Sequence, residues 1–410
     1  MYRAVIEGAY RLRYIGSERG RRAEEPGDPA VPRLYVDVST IFRHDSGTGI
    51  QRVVRALMRY LAAEQGAGFH LVPVVATRKH PYRALTMRQW REQDFAAVRT
   101  ARALAPRRGD IFLGLDLSAH LLPRHDLQIG WLKSRGVTVA VLVYDLLPHQ
   151  MPDYFTKKNV GNFHRWLRML VRRADRILCI SASVRNDVEA FFASAAPKSL
   201  ARPRFTHIPL GGDLASTFPT RGVATAQRAL IDRLAGSTLL LMVGTVEPRK
   251  GYDVALDAME ILWADDRHRD LCLVLIGQQG WRSAALEKRI ADHPERDRRL
   301  FRLGDVSDEG LELFYRRCDG VMMMSRAEGF GLPVIEALQH GKPVLARDLP
   351  VFRELSDQSG IAYFQDESPP ALSDAIARWL VTKPVAVAWN GRENWDEAGR
   401  SLLHALGLAP

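Results

Sequence analysis

The chain has 410 residues, 46% of them hydrophobic, and a formal net charge of +11. This length exceeds what one ordinary hydrophobic core supports, so the sequence predicts two globular domains. Three widely spaced cysteines exclude a disulfide-rich secreted module, and the lack of a long apolar run excludes a membrane-spanning helix.

The net positive charge is compatible with several kinds of binding partner. Nucleic acid is excluded, because no basic run is interleaved with aromatic residues and no nucleic-acid-binding motif occurs. An anionic membrane face, an anionic lipid-linked substrate and an ordinary solvated surface all remain open. Residues 1–32 lack the apolar core of a secretory signal, and Cys179, Cys272 and Cys318 are interpreted as reduced thiols. We therefore expect a cytoplasmic protein that could contact the inner face of a membrane peripherally.

The first half of the chain shows the pattern of a parallel sheet. Residues 1–32 predict an amphipathic helix and a Pro-Gly linker, and apolar residues at helical spacing predict a helix over 50–64. Apolar runs predict strands at 34–38, 69–76, 110–115, 137–144 and 176–180. Because strands and helices alternate, we expect a parallel sheet covered on both faces, with ligands near the strand ends.

Three features of this half lie at predicted strand ends. The turn Gly47-Thr48-Gly49 follows the first strand, and its glycines either let the backbone approach a ligand or form a tight structural turn. Asp145 follows the fourth strand. Ser181 follows the fifth strand and is interpreted as a helix cap rather than a nucleophile.

The second half repeats the same architecture after residues 208–221, which are rich in Gly and Pro and predict a hinge. Strands are predicted at 239–243, 271–276, 300–303, 320–324 and 343–346, and Ser307 is predicted to cap a helix. Residues after Pro384 predict a last helical stretch with Trp389 and Trp395. The predicted domains are 1–32 (helix and linker), 33–215, 216–384 and 385–410, the last a helix that crosses back toward the N-terminal domain.

The loop Gly244-Thr245-Val246-Glu247-Pro248-Arg249-Lys250-Gly251 joins a predicted strand to a helix. Its two cations precede a helix N-terminus, where the helix dipole disfavours positive charge. That mismatch favours a functional role over a surface pair, and adjacent cations of this kind can hold a diphosphate.

A second motif runs from Glu328 to Glu336, with the sequence E-G-F-G-L-P-V-I-E. A strand leads into a glycine-bearing turn and then a helix with Pro333 in its first turn, which presents N–H groups to an anion. Glu328 and Glu336 flank that point. Ordinary acidic capping would explain this motif if it stood alone. An anion-binding turn beside two carboxylates that can accept hydrogen bonds from hydroxyl groups instead matches a nucleotide sugar, which has phosphates, ribose hydroxyls and sugar hydroxyls.

Diphosphate-binding cations and hydroxyl-binding carboxylates fit the transfer of a sugar from a nucleoside diphosphate, because the leaving group gains negative charge. The chain has no D-x-D motif and no H-E-x-x-H spacing. We therefore expect no metal and no other cofactor, with the protein itself neutralising the diphosphate.

These residues resemble the retaining glycosyltransferases of the GT-B fold, family four, also called glycosyltransferase group 1. The resemblance is strongest over residues 239–355 and depends on the two motifs quoted above. It implies an α/β protein of two Rossmann-like, doubly wound domains facing across a cleft. T-G-I-Q-R at 48–52 and R-D-L-P-V-F-R-E at 347–354 look like mannosyl- and rhamnosyltransferases of bacterial surface polysaccharide synthesis, including the O-antigen of lipopolysaccharide, so a GDP-sugar is the expected donor.

The resemblance also implies residue roles. Arg249 and Lys250 would hold the diphosphate, Glu328 the hydroxyls of the transferred sugar, and Glu336 the ribose. Further donor contacts would come from residues of several loops, namely Gly47, Thr48, Gly49, Gly244, Val306, Phe330, Gly331 and Leu332. Tyr144-Asp145 stands where the family often has a histidine, so Asp145 is the candidate on the acceptor side. Some branches have a second arginine where this chain has Thr245, so Arg249 would have to provide more of the diphosphate binding.

Retention of configuration implies attack from the face that the nucleotide leaves, with the departing phosphate as the base, so that no pair of catalytic carboxylates is required. The implied acceptor is a saccharide or a lipid-linked saccharide. Two alternatives remain open at this point: another nucleotide-sugar enzyme on the same fold, such as an epimerase, and a non-catalytic nucleotide-sugar-binding partner in an assembly complex.

Overall fold

The structure is a computed structural model that describes residues 2–18, 28, 30–66, 68–94, 96–197, 199–213, 220–355, 360–382 and 394–408. Most of the predicted linker, residues 214–219 of the predicted hinge, and Trp389 lie outside these residues. The chain divides into two compact units. The first comprises Met1–Gln150, Lys157–Pro209 and Asp396–Pro410, and the second comprises Met151–Thr156 and Leu210–Trp395.

The first unit is built on an eight-stranded sheet of order β4-β3-β2-β1-β5-β6-β7-β8. Its strands are β1 Arg33–Asp37, β2 His70–Val75, β3 Arg83–Ala84, β4 Arg102–Ala103, β5 Ile111–Gly114, β6 Thr138–Val143, β7 Arg176–Cys179 and β8 Arg204–His207. The expectation of a purely parallel sheet is wrong at one edge, where β3 and β4 pair antiparallel. Each has only two residues, too few to show a hydrophobic period.

The second unit has a six-stranded sheet of order β11-β10-β9-β12-β13-β14, parallel throughout. Its strands are β9 Thr238–Val243, β10 Leu271–Ile276, β11 Leu300–Leu303, β12 Gly320–Met323, β13 Val344–Arg347 and β14 Ile361–Phe364. In both sheets the strand order reverses once, between β1 and β5 and between β9 and β12. Ligands of doubly wound sheets bind beside the carboxyl ends of the strands at such a reversal.

Helices connect these strands. They are α1 Tyr2–Glu18, α2 Ser39–Arg43, α3 Gly49–Glu64, α4 Met87–Arg91, α5 Ala97–Thr100, α6 Asp126–Ser134, α7 Leu147–Gln150, α8 Lys157–Arg173, α9 Ala182–Ala195, α10 Thr225–Arg233, α11 Tyr252–Trp263, α12 Ala284–Ala291, α13 Asp308–Arg317, α14 Leu332–Gln339, α15 Pro350–Arg353, α16 Pro369–Thr382 and α17 Trp395–Leu406. Short 3-10 turns occur at Leu122–His125, Pro152–Tyr154, Pro248–Lys250 and Asp266–His268. Among the helices of the described residues, none combines the length and apolar character that crossing a membrane requires.

Local sequence explains where several helices begin. The side chains of Ser181 and Ser307 accept hydrogen bonds from the N–H groups of Val184 and Gly310, so both predicted caps are confirmed. Thr48 begins α3 with a capping box completed by Gln51.

Aromatic side chains fix helices to the sheets. In the first unit, Tyr10 of α1 stacks on Trp131 of α6, with ring centroids 4.4 Å apart. In the second unit, Trp379 of α16 is buried over β12. A Cβ atom added to Gly320 would lie 2.3 Å from the Trp379 Cη2 atom, so glycine is required for this helix to pack on the strand.

We predict that Gly320→Ala lowers the free energy of unfolding by about 1–3 kcal/mol, the usual cost of overpacking a close-packed core. Gly236→Ala is the matched control, because a Cβ atom there would meet no atom within 4 Å. Urea unfolding followed by fluorescence measures both. Equal stability of the two variants would contradict the packing of Trp379 on β12.

Candidate functional site

The two motifs singled out in the sequence lie at the strand reversal of the second unit. β9 and β12 are neighbours in the sheet and run parallel. The loop after β9 carries Arg249 and Lys250, and the loop after β12 carries Glu328. The sheet topology therefore brings together residues that are almost eighty positions apart in the sequence, at the edge where doubly wound sheets bind ligands.

The loop after β9 is held closely against the loop after β12. Gly251 has a φ of 70°, and a Cβ atom there would lie 2.3 Å from the carbonyl oxygen of Met324. The start of the loop is fixed by Tyr252, whose hydroxyl donates to the carbonyl oxygen of Gly244 at 2.7 Å. The left-handed backbone and the close approach both require glycine at position 251.

The centre of the site is a carboxylate shared by two cations. The Lys250 Nζ atom lies 2.5 Å from the Glu328 Oε1 atom, and the Arg249 Nη1 atom lies 3.2 Å from the Oε2 atom. The Ser325 hydroxyl also donates to Oε1, at 2.6 Å. Burial alone would raise the pKa of Glu328, but the charges of Lys250 and Arg249 and these hydrogen bonds outweigh burial and lower the pKa to about 2.

Arg249 also pairs with a second carboxylate that sequence reasoning did not single out. Its Nε atom lies 2.8 Å from the Oε1 atom of Glu247, whose side chain is only 2% exposed. Glu247 lies in the same loop motif, two residues before Arg249, and this short spacing is the sequence feature that could have indicated the ion pair. Arg249 and Lys250 are therefore each fixed by carboxylates, and an incoming anion must compete with those carboxylates.

Arg326 is a second residue that the sequence did not reveal. It forms a two-point ion pair with Asp253, at 3.2 and 3.1 Å, and donates to the carbonyl oxygen of Pro248 at 2.8 Å. Its own N–H group donates to the carbonyl oxygen of Arg249 at 2.8 Å. Arg326 thus joins the loop after β12 to the loop and helix after β9, which fixes the cations relative to Glu328.

The helix start predicted to face an anion lies directly after Glu328. Gly331 precedes α14 with a φ of 96°, and a Cβ atom there would lie 2.5 Å from Phe352. Leu332 and Pro333 form the first turn, where N–H groups have no acceptor within the helix. Phe330 is buried beside this turn.

Glu336 lies one turn into α14 and is 1% exposed. Its Oε2 atom accepts a hydrogen bond of 2.6 Å from the hydroxyl of Tyr315 on α13. Tyr315 stacks on His340, with ring centroids 5.4 Å apart. The hydroxyl and the stacked ring fix the orientation of Glu336, and Tyr315 is a positioning residue that the sequence did not indicate.

The other predicted donor residues of this unit lie at neighbouring strand ends. Gly244 follows β9, and its N–H group donates to Ile276 at the end of β10. Val306 follows β11, is half-buried, and packs beside Gly310 at the start of α13. Both residues are at the carboxyl edge of the sheet, as expected for ligand contacts.

The predicted residues of the first unit have structural roles of their own. Gly47, with a φ of 64°, and Thr48 and Gly49 form the exposed start of α3. Asp145 is half-buried, and its Oδ1 atom accepts a hydrogen bond of 3.0 Å from the N–H group of Leu147 at the start of α7. Their roles toward donor and acceptor stay predictions. Within the described residues, no group of three or more His, Cys, Asp or Glu side chains is arranged to hold a metal ion.

Comparison with known proteins finds similarity to glycosyl transferases. Residues 226–402, which include both motifs, match the family model of glycosyl transferases group 1. The serotype-specific mannosyltransferase WbdA of Escherichia coli is 35% identical over 351 residues, which are 85% of this chain and 42% of that protein. The chain therefore spans less than half the length of this relative. The O-antigen chain mannosyltransferase B of Escherichia coli is 27% identical over 68% of this chain and 67% of its own length.

Solved structures agree on the fold. Sucrose-phosphate synthase from Thermosynechococcus elongatus has a TM-score of 0.58 and 18% identity, covering 92% of this chain and 95% of that one. HepE from Anabaena, solved with UDP-glucose, has a TM-score of 0.56 and 13% identity over the same shares of the two chains. The predicted fold class, GT-B with two Rossmann-like domains, is confirmed.

We predict that Glu328→Gln lowers the free energy of unfolding at pH 7 by roughly 3 kcal/mol, because two cations lose a buried partner. The folded pKa of about 2 lies below the ordinary value of 4.5, so this stability is fully present above pH 4.5 and is lost as the pH falls toward 2. Urea unfolding between pH 7 and pH 3 should show the two proteins converging at low pH.

The matched control is Glu312→Gln, which removes a surface carboxylate paired with Arg316 one turn along α13. It should change stability by at most about 0.5 kcal/mol at any pH. A Glu328→Gln effect as small as this control, or one independent of pH, would contradict the shared carboxylate.

Proposed function

We propose, from the match of residues 226–402 to the family model of glycosyl transferases group 1, that the chain transfers a hexose from a GDP-sugar to a saccharide or lipid-linked saccharide acceptor. Mannose is the first choice of sugar and rhamnose the second. The reaction belongs to the synthesis of a bacterial surface polysaccharide. The observation that carries this proposal is the Glu328 carboxylate held by Lys250 and Arg249 at the strand reversal. Similarity to two mannosyltransferases of Escherichia coli supports the choice of sugar.

In this proposal Lys250 and Arg249 exchange their carboxylate partner for the diphosphate when the donor binds. The phosphate oxygens replace Glu328 as partners of Lys250 and Arg249, with charge-assisted hydrogen bonds to both side chains. The released carboxylate then accepts hydrogen bonds from hydroxyls of the transferred sugar. Because the leaving nucleotide gains negative charge as the glycosidic bond breaks, cations fixed in advance stabilise the transition state more than the ground state.

The start of α14 supplies the second set of contacts. The N–H groups around Phe330, Gly331 and Leu332 would face the diphosphate, because the first turn of a helix attracts negative charge. Glu336 would bind the ribose hydroxyls, and Tyr315 would hold it in the required orientation. Backbone near Val306 would lie beside the base.

We propose retention of configuration, with the departing phosphate oxygen removing the proton of the acceptor hydroxyl. A mechanism of this kind needs no pair of catalytic carboxylates. Asp145 is the proposed contact on the acceptor side, where it would orient the attacking hydroxyl. We also propose that the protein works in the cytoplasm, in peripheral contact with the anionic inner face of the membrane through its basic first unit.

Lys250→Ala should reduce kcat by about 10²–10³-fold, the usual loss when one transition-state charge partner is removed. The assay is the release of GDP from GDP-mannose in the presence of a mannose-terminated oligosaccharide. Lys288→Ala is the control, since it removes a lysine of the same unit that is 78% exposed and paired with Asp292. Wild-type turnover by a folded Lys250→Ala protein would end this assignment.

Metal removal should leave turnover unchanged, because Arg249 and Lys250 perform the charge compensation that Mg²⁺ supplies in other enzymes. Initial rates in excess EDTA, compared with rates in added Mg²⁺ or Mn²⁺, measure this. Activity that disappears with EDTA and returns with either ion would contradict the proposal of a metal-independent transfer.

A further inference from the structure

The net positive charge of the protein comes entirely from one of its two units. The first unit contains 35 Lys and Arg against 19 Asp and Glu, a formal charge of +16, whereas the second contains 23 against 28, a charge of −5. The site already described, in the second unit, balances its cations with carboxylates of its own. The excess charge of the first unit is therefore not part of the donor site.

Four exposed cations stand at the strand reversal of the first unit. We call them the β1/β5 edge cluster, and they are Arg43, Arg78, Arg124 and Lys158. Each follows a different strand of the neighbouring series β2, β1, β5 and β6. Since these four strands are parallel, their carboxyl ends share one edge of the sheet, where doubly wound folds bind ligands.

Buried hydrogen bonds hold the loops that carry this cluster. The Oδ2 atom of Asp116, after β5, accepts from the N–H groups of Thr40 and Ile41 in α2, both at 2.7 Å. The Nε2 atom of His125 lies 2.8 Å from the carbonyl oxygen of Thr77. His125 follows Arg124 in the chain, and Thr77 precedes Arg78, so this contact joins the two loops. The cations therefore project from loops that are tied to one another rather than from independent surface segments.

The charges of all four side chains act on one residue, His120, whose carbonyl oxygen accepts a hydrogen bond of 3.3 Å from the Arg124 Nε atom. Burial lowers the pKa of His120, and the positive charges of Arg78, Arg43, Arg124 and Lys158 lower it further. Within the described residues, none of the four cations forms an ion pair with a carboxylate. These cations therefore have no direct carboxylate partner among the described residues that an incoming anion would have to displace, in contrast to the carboxylate-paired cations of the second unit.

We propose that the β1/β5 edge cluster binds a phosphate group of the acceptor, either a phosphodiester or a diphosphate that links the acceptor saccharide to its carrier. This inference rests on the proposed function, because it assigns the acceptor chemistry of the same enzyme. Arginine guanidinium groups match phosphate oxygens with two parallel hydrogen bonds, and Lys158 adds a point charge. A neutral saccharide would gain nothing from these four side chains.

Two synthetic acceptors test this: octyl α-mannoside, which is neutral, and the octyl phosphodiester of α-mannose, which carries one negative charge. For the wild-type protein, kcat/KM should be at least about 10-fold higher for the phosphodiester, the value of one charge-assisted contact. Arg78→Gln and Arg124→Gln should each reduce this ratio about 3–10-fold, and the double variant should bring it close to one.

Arg172→Gln is the matched control. It removes an exposed cation from the same unit and the same helix as Lys158, about 21 Å further along α8. Asp126 keeps its closer partner Arg173, whose Nε atom lies at 2.9 Å. The control should preserve the wild-type ratio, and an equal fall in the control would mean that only the overall charge matters, which overturns the inference.

Calorimetric binding of both acceptors in the absence of donor separates this inference from the proposed function. Preferential binding of the phosphodiester without sugar transfer would contradict the proposed function alone. Transfer to both acceptors at equal kcat/KM would contradict this inference alone. If the double variant instead lost binding to phosphatidylglycerol vesicles while keeping the wild-type ratio, the cluster would belong to the membrane surface and the inference would be wrong.

Discussion

The site depends on the carboxylate of Glu328, which lies on one loop and is bound by Lys250 and Arg249 of another. A buried carboxylate is stable only if its charge is compensated, and a buried lysine has the same requirement. Each group therefore holds the other in place, and Arg326 ties the two loops together around them. The protein keeps two cations fixed in position at the strand reversal, and the proposed reaction requires a diphosphate to replace their carboxylate partner. Such preorganisation is what electrostatic catalysis needs, because the cations require little reorganisation during the reaction.

The two units use one architecture for two kinds of surface. In both, the strand order reverses once, and loops from neighbouring parallel strands meet at the carboxyl edge. In the second unit, cations and carboxylates alternate across that edge, which suits a ligand with both phosphates and hydroxyls. In the first unit, the corresponding edge carries exposed cations above a buried hydrogen-bond network around Asp116. The fold supplies the position of each edge, and the side chains at the strand ends determine its chemistry.

Much of this arrangement could be predicted from local sequence. Apolar runs located the long strands to within a residue or two, and serines at helix starts were correctly interpreted as caps. The residues missed were Glu247, Arg326 and Tyr315, whose partners are set by contacts that sequence spacing alone does not reveal. Arg326 and Asp253, for example, are 73 positions apart and meet only because β9 and β12 are neighbours. Four strands were missed: β3 and β4 have only two residues, too few for a measurable period, and β8 and β14 are short edge strands with mostly half-exposed residues.

The most direct test is a crystal structure of the full chain with intact GDP-mannose. The account predicts that the Lys250 Nζ atom lies within about 3 Å of a diphosphate oxygen, and that Glu328 has left Lys250 to accept hydrogen bonds from mannose hydroxyls. A bound donor whose diphosphate lies elsewhere, with Lys250 and Arg249 still paired to Glu328, would contradict the exchange of partners on which the proposed reaction depends.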